Sequence, residues 1–521
     1  MGTQQHTTFT PLDNVIGITS ISSCINPAIN NKDIAEEVSN CLTILAVAAN
    51  LVQKVTNTRK RIKTSLVNPP PLKGVYRHQL YLSTGLAYLA AVLEENGHEV
   101  TVIDCPALEM NHEELKAKLA SIEPNLIGIT SMTPTIQSAL LSAHVAKEAC
   151  PEAMVVLGGP HATFMDEQVL NEEKAVDILV RGEGEQTLLE LAQNVSNSNG
   201  LNSIEGITFR NNGQTIRTPN RSFIQKLDEL PRPAYKYFPL EKYRLFGRRI
   251  LPIITSRGCP SQCSFCTTSR IFGKGFRARS PKNVVDELEW LRDVHGADAF
   301  SFYDDTFTLD KKRAIKICEE IKKREIGLPW DCQTRVSQVS KEILAKMREA
   351  NCQQVFFGVE SGCQKILDAV KKGTTVKQNE TAIRLAKDAG LFVAVSVIVG
   401  YPGETKDMLK QTIDFIRKTE PDDAYLCVAT PYPGTELRSL VEDMGWAMSN
   451  DWGLYDTITP VFDNPNLSVE EVRKLRSSFY DSFYSPKYVL RHLFKTNFYS
   501  RVMARTALNH LIWRIRKIFK I

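Results

Sequence analysis

From residue 62 onward, short apolar runs alternate with longer segments in which apolar residues return every three or four positions. The runs at 63–67, 99–103, 126–130, 154–157 and 178–180 read as strands. Segments 83–96, 112–122 and 136–149 carry the helical period. Strands alternating with amphipathic helices imply a parallel, doubly wound α/β sheet with helices on both faces. The strands run out into small or polar residues: Ser131-Met132-Thr133, Gly158-Gly159 and Gly182-Glu183-Gly184. Ligands of such sheets lie beyond the carboxyl ends of the strands. Glycines there let a large planar ligand approach the backbone.

The pattern changes at 196. Segments 206–210 and 214–218 flank Asn211-Asn212-Gly213, a hairpin signal. Pro219, Pro231, Pro233 and Pro239 punctuate the chain after it, so 196–249 reads as a linker whose aromatics (Tyr235, Tyr237, Phe238, Tyr243) touch either neighbour. Alternation resumes at Leu251. Strand-like runs at 299–303, 330–334, 354–359, 392–399 and 424–429 are separated by helical runs at 281–295, 311–326, 341–350, 376–389 and 406–418. Six strands with intervening helices fit a partial (βα)6 barrel, whose reactive groups line the C-terminal strand ends. The expected division is an N-terminal extension (1–61), a Rossmann-like sheet domain (62–195), the linker (196–249), a partial TIM-like barrel (250–460) and a helical basic C-terminal region (461–521). In the extension, Asp33 is placed to cap a helix running to about Thr56.

Composition changes this picture in two places. The 521 residues are 43% hydrophobic and 24% charged, ordinary for globular domains, but the net charge of +5 is uneven. From Ser482 to Ile521 there are nine Lys/Arg and no Asp/Glu, which leaves 55 basic against 59 acidic residues in the remainder. A segment at 467–482 reads as a helix capped near Asn466; beyond it, 488–494 and 502–521 mix Leu, Ile, Phe and Trp513 with the basic residues. Such a tail fits a helix lying on an anionic surface, a basic helix packed on the acidic body, or a nucleic-acid contact, although no nucleic-acid motif accompanies it. The twelve cysteines show no short regular framework, which points to a reducing, cytoplasmic setting, with peripheral contact at the inner face of the membrane if the tail meets lipid. No secretory signal is evident, and the apolar stretch 42–52 is shorter than the roughly 20 residues of a spanning helix.

The chemistry concentrates at Arg257-Gly258-Cys259-Pro260-Ser261-Gln262-Cys263-Ser264-Phe265-Cys266. Three thiolates at CxxxCxxC spacing can grip three irons of a 4Fe-4S cluster, leaving the fourth open to a small molecule. Ordinary buried cysteines, or a zinc site with a fourth ligand elsewhere, are the alternatives.

This loop resembles that of the radical S-adenosylmethionine (SAM) superfamily, and residues 62 to 460 resemble its branch that carries a cobalamin-binding domain before the radical SAM core. The resemblance implies a 4Fe-4S cluster held by Cys259, Cys263 and Cys266, with SAM chelated at the open iron and cleaved to methionine and a 5'-deoxyadenosyl radical. It also implies cobalamin, its dimethylbenzimidazole tail surrounded by the loops of Ser131, Thr133, Gly158 and Gly159. The better-known DxHxxG signature is absent, its histidine slot holding Pro70, so no histidine of that loop is expected to ligate cobalt. A flavodoxin-like sheet without its ligand, or with a nucleotide, is the alternative. His161 is expected to be a structural loop residue or a corrin-edge contact. On the SAM side, Asp304-Asp305 match the position that accepts the methionyl amine, Arg335 suits a carboxylate, Glu360-Ser361 suit ribose hydroxyls, and Gly400 and Phe265 match adenine contacts. The catalytic residues proper stay unassigned.

The expected activity is C-methylation of an unactivated carbon, on a lipid or other hydrophobic intermediate such as the hopanoids, archaeal ether lipids or tetrapyrroles on which relatives act. An oxidoreductase or cyclase without methyl transfer is the second reading, and a non-catalytic electron or corrinoid carrier the third. A reducing partner such as flavodoxin or ferredoxin is implied.

Overall fold

The computed structural model describes residues 61–72, 80–195, 198–245, 247–495 and 497–519. The helix expected between Asp33 and Thr56 lies outside them. The chain divides into two compact units, 1–60 and 61–521, and every described residue belongs to the second.

Its first sheet is built from β1 (Lys63–Asn68), β2 (Glu99–Asp104), β3 (Leu126–Thr130), β4 (Met154–Gly158) and β5 (Ile178–Val180). These pair in parallel in the order β2-β1-β3-β4-β5. Helices on both faces shield strands that are buried almost throughout, which is why the strands read as continuous apolar runs. The hairpin signal at Asn211-Asn212-Gly213 is realised: β6 (Ile207–Asn211) and β7 (Gln214–Arg217) pair antiparallel around it, with Asn212 and Gly213 both at positive φ. β6 also pairs antiparallel with β5, so the hairpin extends the first sheet to seven strands. The start of the expected linker is therefore sheet.

The rest of that segment is a wedge. Tyr235, Phe238 and Tyr243 are buried, and the Tyr235 hydroxyl donates to the Pro252 carbonyl at 2.8 Å. One apolar cluster runs without a break from Leu86 of the first domain through Tyr235 to Phe300 and Trp330 of the second.

The second sheet opens with a short antiparallel edge strand, β8 (Arg244–Leu245), paired to β9 (Arg248–Ile253). A two-stranded ribbon, β10 (Ser256–Arg257) with β11 (Arg277–Ala278), stands apart from it. Five further strands run parallel to β9: β12 (Ala299–Phe302), β13 (Trp330–Thr334), β14 (Cys352–Glu360), β15 (Phe392–Val399) and β16 (Asp423–Val428). The sheet order is β16-β15-β14-β13-β12-β9-β8. Helix starts follow local chemistry. Thr375 and Gln378 cap reciprocally before Val376–Asp388, satisfying backbone N–H groups that have no partner in the first turn.

The C-terminal region departs from expectation. The first helix runs Val469–Phe483 and is capped by Ser468 with Glu471, in place of the expected cap near Asn466, because Ser468 holds the capping-box spacing. Pro486–Leu493 and Phe498–Phe519 follow. The tail packs on the barrel where the strands begin. The Tyr499 hydroxyl donates to Asp331 at 2.5 Å, Tyr488 to the Asp422 carbonyl, and Lys495 to the Asp422 carboxylate at 2.7 Å. Burial raises the Asp331 carboxyl, with hydrogen bonds from Ser301 and Tyr499 acting against it. Outward, Leu490, Leu493, Phe494, Leu508 and Ile512 are exposed, Phe494 by 81%. No helix among the described residues is long and apolar enough to cross a membrane.

Candidate active site

The apolar run of β9 ends at Ile253, and Gly258 and Pro260 turn the chain into a loop. Gly258 sits at φ +87°, and a Cβ there would come within 2.1 Å of the Gly275 carbonyl oxygen, so the loop closes on the 272–275 segment only with glycine. The Cys259 amide donates to the Gly273 carbonyl at 3.2 Å, Ser264 donates to Val370, and Leu437 donates to Ser264. Cys259, Cys263 and Cys266 are thiols at intermediate burial, and all three line one cavity. Burial raises the Cys266 thiol, with hydrogen bonds from Thr268 pulling it back down.

Three thiols around one cavity fit three corners of an iron-sulfur cluster.

The same cavity is walled by Phe265, Thr268, Asp305, Gln333, Arg335, Phe356, Gly358, Glu360, Lys372 and Ser396. Of the residues singled out from sequence on the SAM side, Phe265, Asp305, Arg335 and Glu360 therefore share this cavity with the three thiols. Arg335 directs Nη1 at the Cys263 sulfur (3.4 Å) and Nη2 at the Lys372 carbonyl. Asp305 sits on the open wall and accepts from Thr268 at 2.9 Å. Desolvation in the concave wall pushes its carboxyl up to about 6; the Thr268 hydrogen bond lowers it and the neighbouring Asp304 charge raises it.

Three other expectations meet a different geometry. Asp304 is fully buried and points away from the cavity: its oxygens accept from the amides of Thr255 and Ser256 (2.8 and 2.5 Å) and from their hydroxyls (2.7 and 2.8 Å). With four donors on two oxygens it holds the strand that leads into the cluster loop, so Asp305 is the carboxylate on the cavity wall. Ser361 is fully buried, bonded to Thr412 and the Cys363 amide. Gly400 lies off the wall; its amide donates to Glu404 at 2.6 Å and its carbonyl accepts from Asn464. From the strand before it, β15, Ser396 reaches the cavity.

Three of the wall residues, Lys372, Ser396 and Phe356, escaped sequence reading. Lys372 pairs with Glu360 at 2.6 Å, both side chains almost fully buried. It belongs to the Lys371-Lys372-Gly373 turn, where nothing local marks one lysine as inward. Ser396 and Phe356 sit inside apolar strands, where only the barrel's inside face separates them from core. Around that face, Phe356 packs on Tyr425 with ring centroids 5.6 Å apart. Tyr81 acts electrostatically on both Tyr303 and Tyr425, whose phenols are raised, Tyr303 first by burial and Tyr425 first by the Asp423 charge.

In the first sheet, the ends of β3 and β4 fold together. Ser131 donates to the Gly158 carbonyl through both its amide (2.8 Å) and its hydroxyl (2.9 Å). Gly159 is at φ +99°, and a Cβ there would lie 2.5 Å from the Ser131 oxygen. The Thr133 hydroxyl meets His161 Nδ1 at 3.3 Å. So both hydroxyls expected near the cobalamin tail turn inward, and the loops present mainly backbone and Met132. This donor-poor, glycine-lined end suits an apolar, planar ligand edge more than a phosphate. His161 is buried with its ring edge-on to Trp452 at 5.0 Å, and burial with the Arg438 charge lowers it to about 4. Burial and the Arg438 charge thus favour its neutral form, packed between Thr133 and Trp452.

Residues 253–416 match the model of the Radical SAM superfamily, and 77–192 match that of the B12 binding domain. An uncharacterised methyltransferase of Pyrococcus horikoshii is 36% identical over 442 residues, covering 84% of this chain and 95% of that protein. An anaerobic magnesium-protoporphyrin IX monomethyl ester cyclase of Rubrivivax gelatinosus is 34% identical over 418 residues, covering 78% and 75%. Among solved structures, the radical SAM methyltransferase TsrM of Kitasatospora setae, with cobalamin and a 4Fe-4S cluster bound, superposes with a TM-score of 0.67 at 18% identity. That superposition covers 87% of this chain and all of TsrM, and it shows a shared fold.

Proposed function

Because this chain belongs to the radical SAM enzymes that carry a B12-binding domain, using a 4Fe-4S cluster, SAM and cobalamin, we propose that it methylates an unactivated carbon. One observation carries the reading: the strand ends of the two sheets abut. A Cβ on Gly434, in the loop after β16, would lie 2.2 Å from the Phe164 ring, which follows the Gly158-Gly159 loop. Arg257, two residues before Cys259, is paired with Glu183 and Glu185 beyond β5. Such contact would bring a substrate in the barrel mouth within reach of both cofactor sites, the arrangement that hydrogen removal followed by methyl delivery requires.

When bound, the cluster and SAM supply a carbon radical and cobalamin supplies a transferable methyl group. The protein's part is placement. Cys259, Cys263 and Cys266 would hold three irons. Asp305, Arg335 and the Glu360–Lys372 pair offer polar contacts for the amino acid and ribose of SAM, and Phe265 an apolar face for adenine. Tyr303, Phe356 and Tyr425 line the inside of the barrel and would help exclude water from a reactive radical.

The substrate class we favour is a hydrophobic intermediate. The aromatic barrel face supports it, as do the exposed Leu490, Leu493 and Phe494, an apolar patch suited to a membrane surface, beside which Lys487 and Arg491 pair with Glu420. A flavodoxin or ferredoxin would supply the electron. The 34% identity to the Rubrivivax cyclase favours, as second reading, oxidative cyclisation without methyl transfer.

Anaerobic turnover with both 5'-deoxyadenosine and S-adenosylhomocysteine quantified tests the proposal. Both products, and a substrate gain of about 14 Da per event, are expected. Deoxyadenosine alone would overturn methyl transfer. Binding of the intact chain to vesicles containing phosphatidylserine, lost on truncation after Pro486, is expected for the membrane face; no binding by the intact chain removes it.

A further inference from the structure

A buried charge cluster joins the two cofactor regions, and none of the expected site residues belongs to it. Arg257 pairs with Glu183 at 3.0 Å and with Glu185 at 2.5 Å, and Arg277 pairs with Glu183 at 2.9 Å. All four residues are less than 9% exposed. Register makes the two arginines direct neighbours, since Arg257 faces Arg277 across the β10–β11 ribbon. Two guanidiniums side by side away from water need two carboxylates, and Glu183 and Glu185 are those.

Hydrogen bonds lead outward from this cluster at both ends. Toward the cysteines, Arg277 Nη2 donates to the Phe272 carbonyl at 2.8 Å, and the next carbonyl, Gly273, accepts from the Cys259 amide. Toward the first sheet, the Gly182 amide donates to the Thr163 hydroxyl at 3.1 Å, which donates in turn to the Gly159 carbonyl at 2.9 Å. Gly159, Thr163, Gly182, Glu183, Arg257 and Cys259 thus form one continuous line from the glycine turn of the cobalamin-side sheet to the first cluster cysteine. The Glu183 carboxylate also accepts from the Ile224 amide at 2.8 Å. Surface linkage would not need such a set: two exposed loops touching would be held by contacts that water can replace.

We infer that Glu183, with Thr163 behind it, is a positioning residue that sets the cluster loop relative to the β4 glycine turn, and so couples SAM cleavage to methyl delivery. The inference rests on the methyltransferase reading for its second half only. Neither side chain lines the cluster cavity or touches the cysteines, so each acts through Arg257 or through Gly159.

The test uses full-length enzyme reconstituted anaerobically, comparing wild type with Glu183→Gln and Thr163→Val. Thr163→Val removes the link but leaves every charge paired. Three readouts are taken: iron, sulfide and corrin content; the EPR spectrum of the reduced cluster with and without SAM; and deoxyadenosine formed per S-adenosylhomocysteine. Expected in both variants is retained cofactor content with an altered EPR spectrum, and a product ratio raised by roughly fivefold or more, the size of a modest coupling energy. The inference is overturned if Thr163→Val matches wild type in spectrum and ratio, whether Glu183→Gln also matches it or merely loses its cluster. If wild type itself forms deoxyadenosine and no S-adenosylhomocysteine, the methyltransferase reading fails, and the EPR spectra alone decide whether the link positions the cluster loop.

Discussion

The Lys372 ammonium lies 2.6 Å from the Glu360 carboxylate on the wall of the cluster cavity, with both side chains at 7% exposure or less. Glu360 adopts φ +63°, a strained value for a residue with a side chain, at a register shift of β14 against β15. The ion pair gives that conformation a purpose: it brings a carboxylate to the cavity at a strand end where the ladder is irregular. Lys372→Met leaves a buried charge without its partner, so a loss of about 3–5 kcal/mol in chemical denaturation is expected, with weaker SAM binding by calorimetry. Unchanged stability would show that water or another cation takes the lysine's place.

The adjacent aspartates separate two jobs. Asp304→Asn turns one acceptor into a donor facing the donors of Thr255 and Ser256, so it is expected to lower stability by about 1–3 kcal/mol and to reduce iron content after reconstitution. Asp305→Asn is expected to leave stability and iron content near wild type and to weaken SAM binding. The opposite pattern would reverse the assignment.

Gly159→Ala places a methyl 2.5 Å from the Ser131 oxygen at φ +99°. A cost of about 1–3 kcal/mol is expected, with reduced corrin content and iron content retained. Normal corrin uptake would remove this turn from the cobalamin site.

Replacing Cys259, Cys263 and Cys266 together with alanine is expected to abolish the brown colour and the iron content of the anaerobic protein while leaving its far-UV circular dichroism intact.

Glu404 makes stability fall with rising pH. Burial pushes its carboxyl up to about 7, against hydrogen bonds from the amides of Gly400 and Tyr401. The folded state therefore holds a proton that the unfolded chain has released above about 4.5, so the protein binds more protons folded than unfolded between those values. Stability contributed by this group is full below about pH 4.5 and is lost as pH rises toward 7, by up to about 3 kcal/mol. Glu404→Gln, which cannot ionise, is expected to gain more in melting temperature at pH 8 than at pH 5. Equal shifts at both values would show that Glu404 is charged in the fold.

Both parallel sheets, the hairpin and the three-thiol loop were legible along the chain, because period, turn chemistry and ligand spacing are local properties. The strand runs at 330–334 and 392–399 are observed at the bounds their composition indicates. Which of two neighbouring polar residues serves the cavity was not legible. Asp304 and Asp305 are chemically alike, and only the turn after β12 sends one into the fold and the other to the wall. Lys372 and Ser396 are brought to the cavity by strands and loops remote in sequence. The tail's basic residues were visible in composition, yet that Lys495 and Tyr499 serve the barrel while Phe494 faces outward depends on which acidic groups the barrel presents beneath them. By itself, then, the sequence determined the elements and the three-thiol loop; tertiary packing decided which charges hold the loops and which stand on the cavity wall, since burial and pairing are properties of neighbours and not of position in the chain.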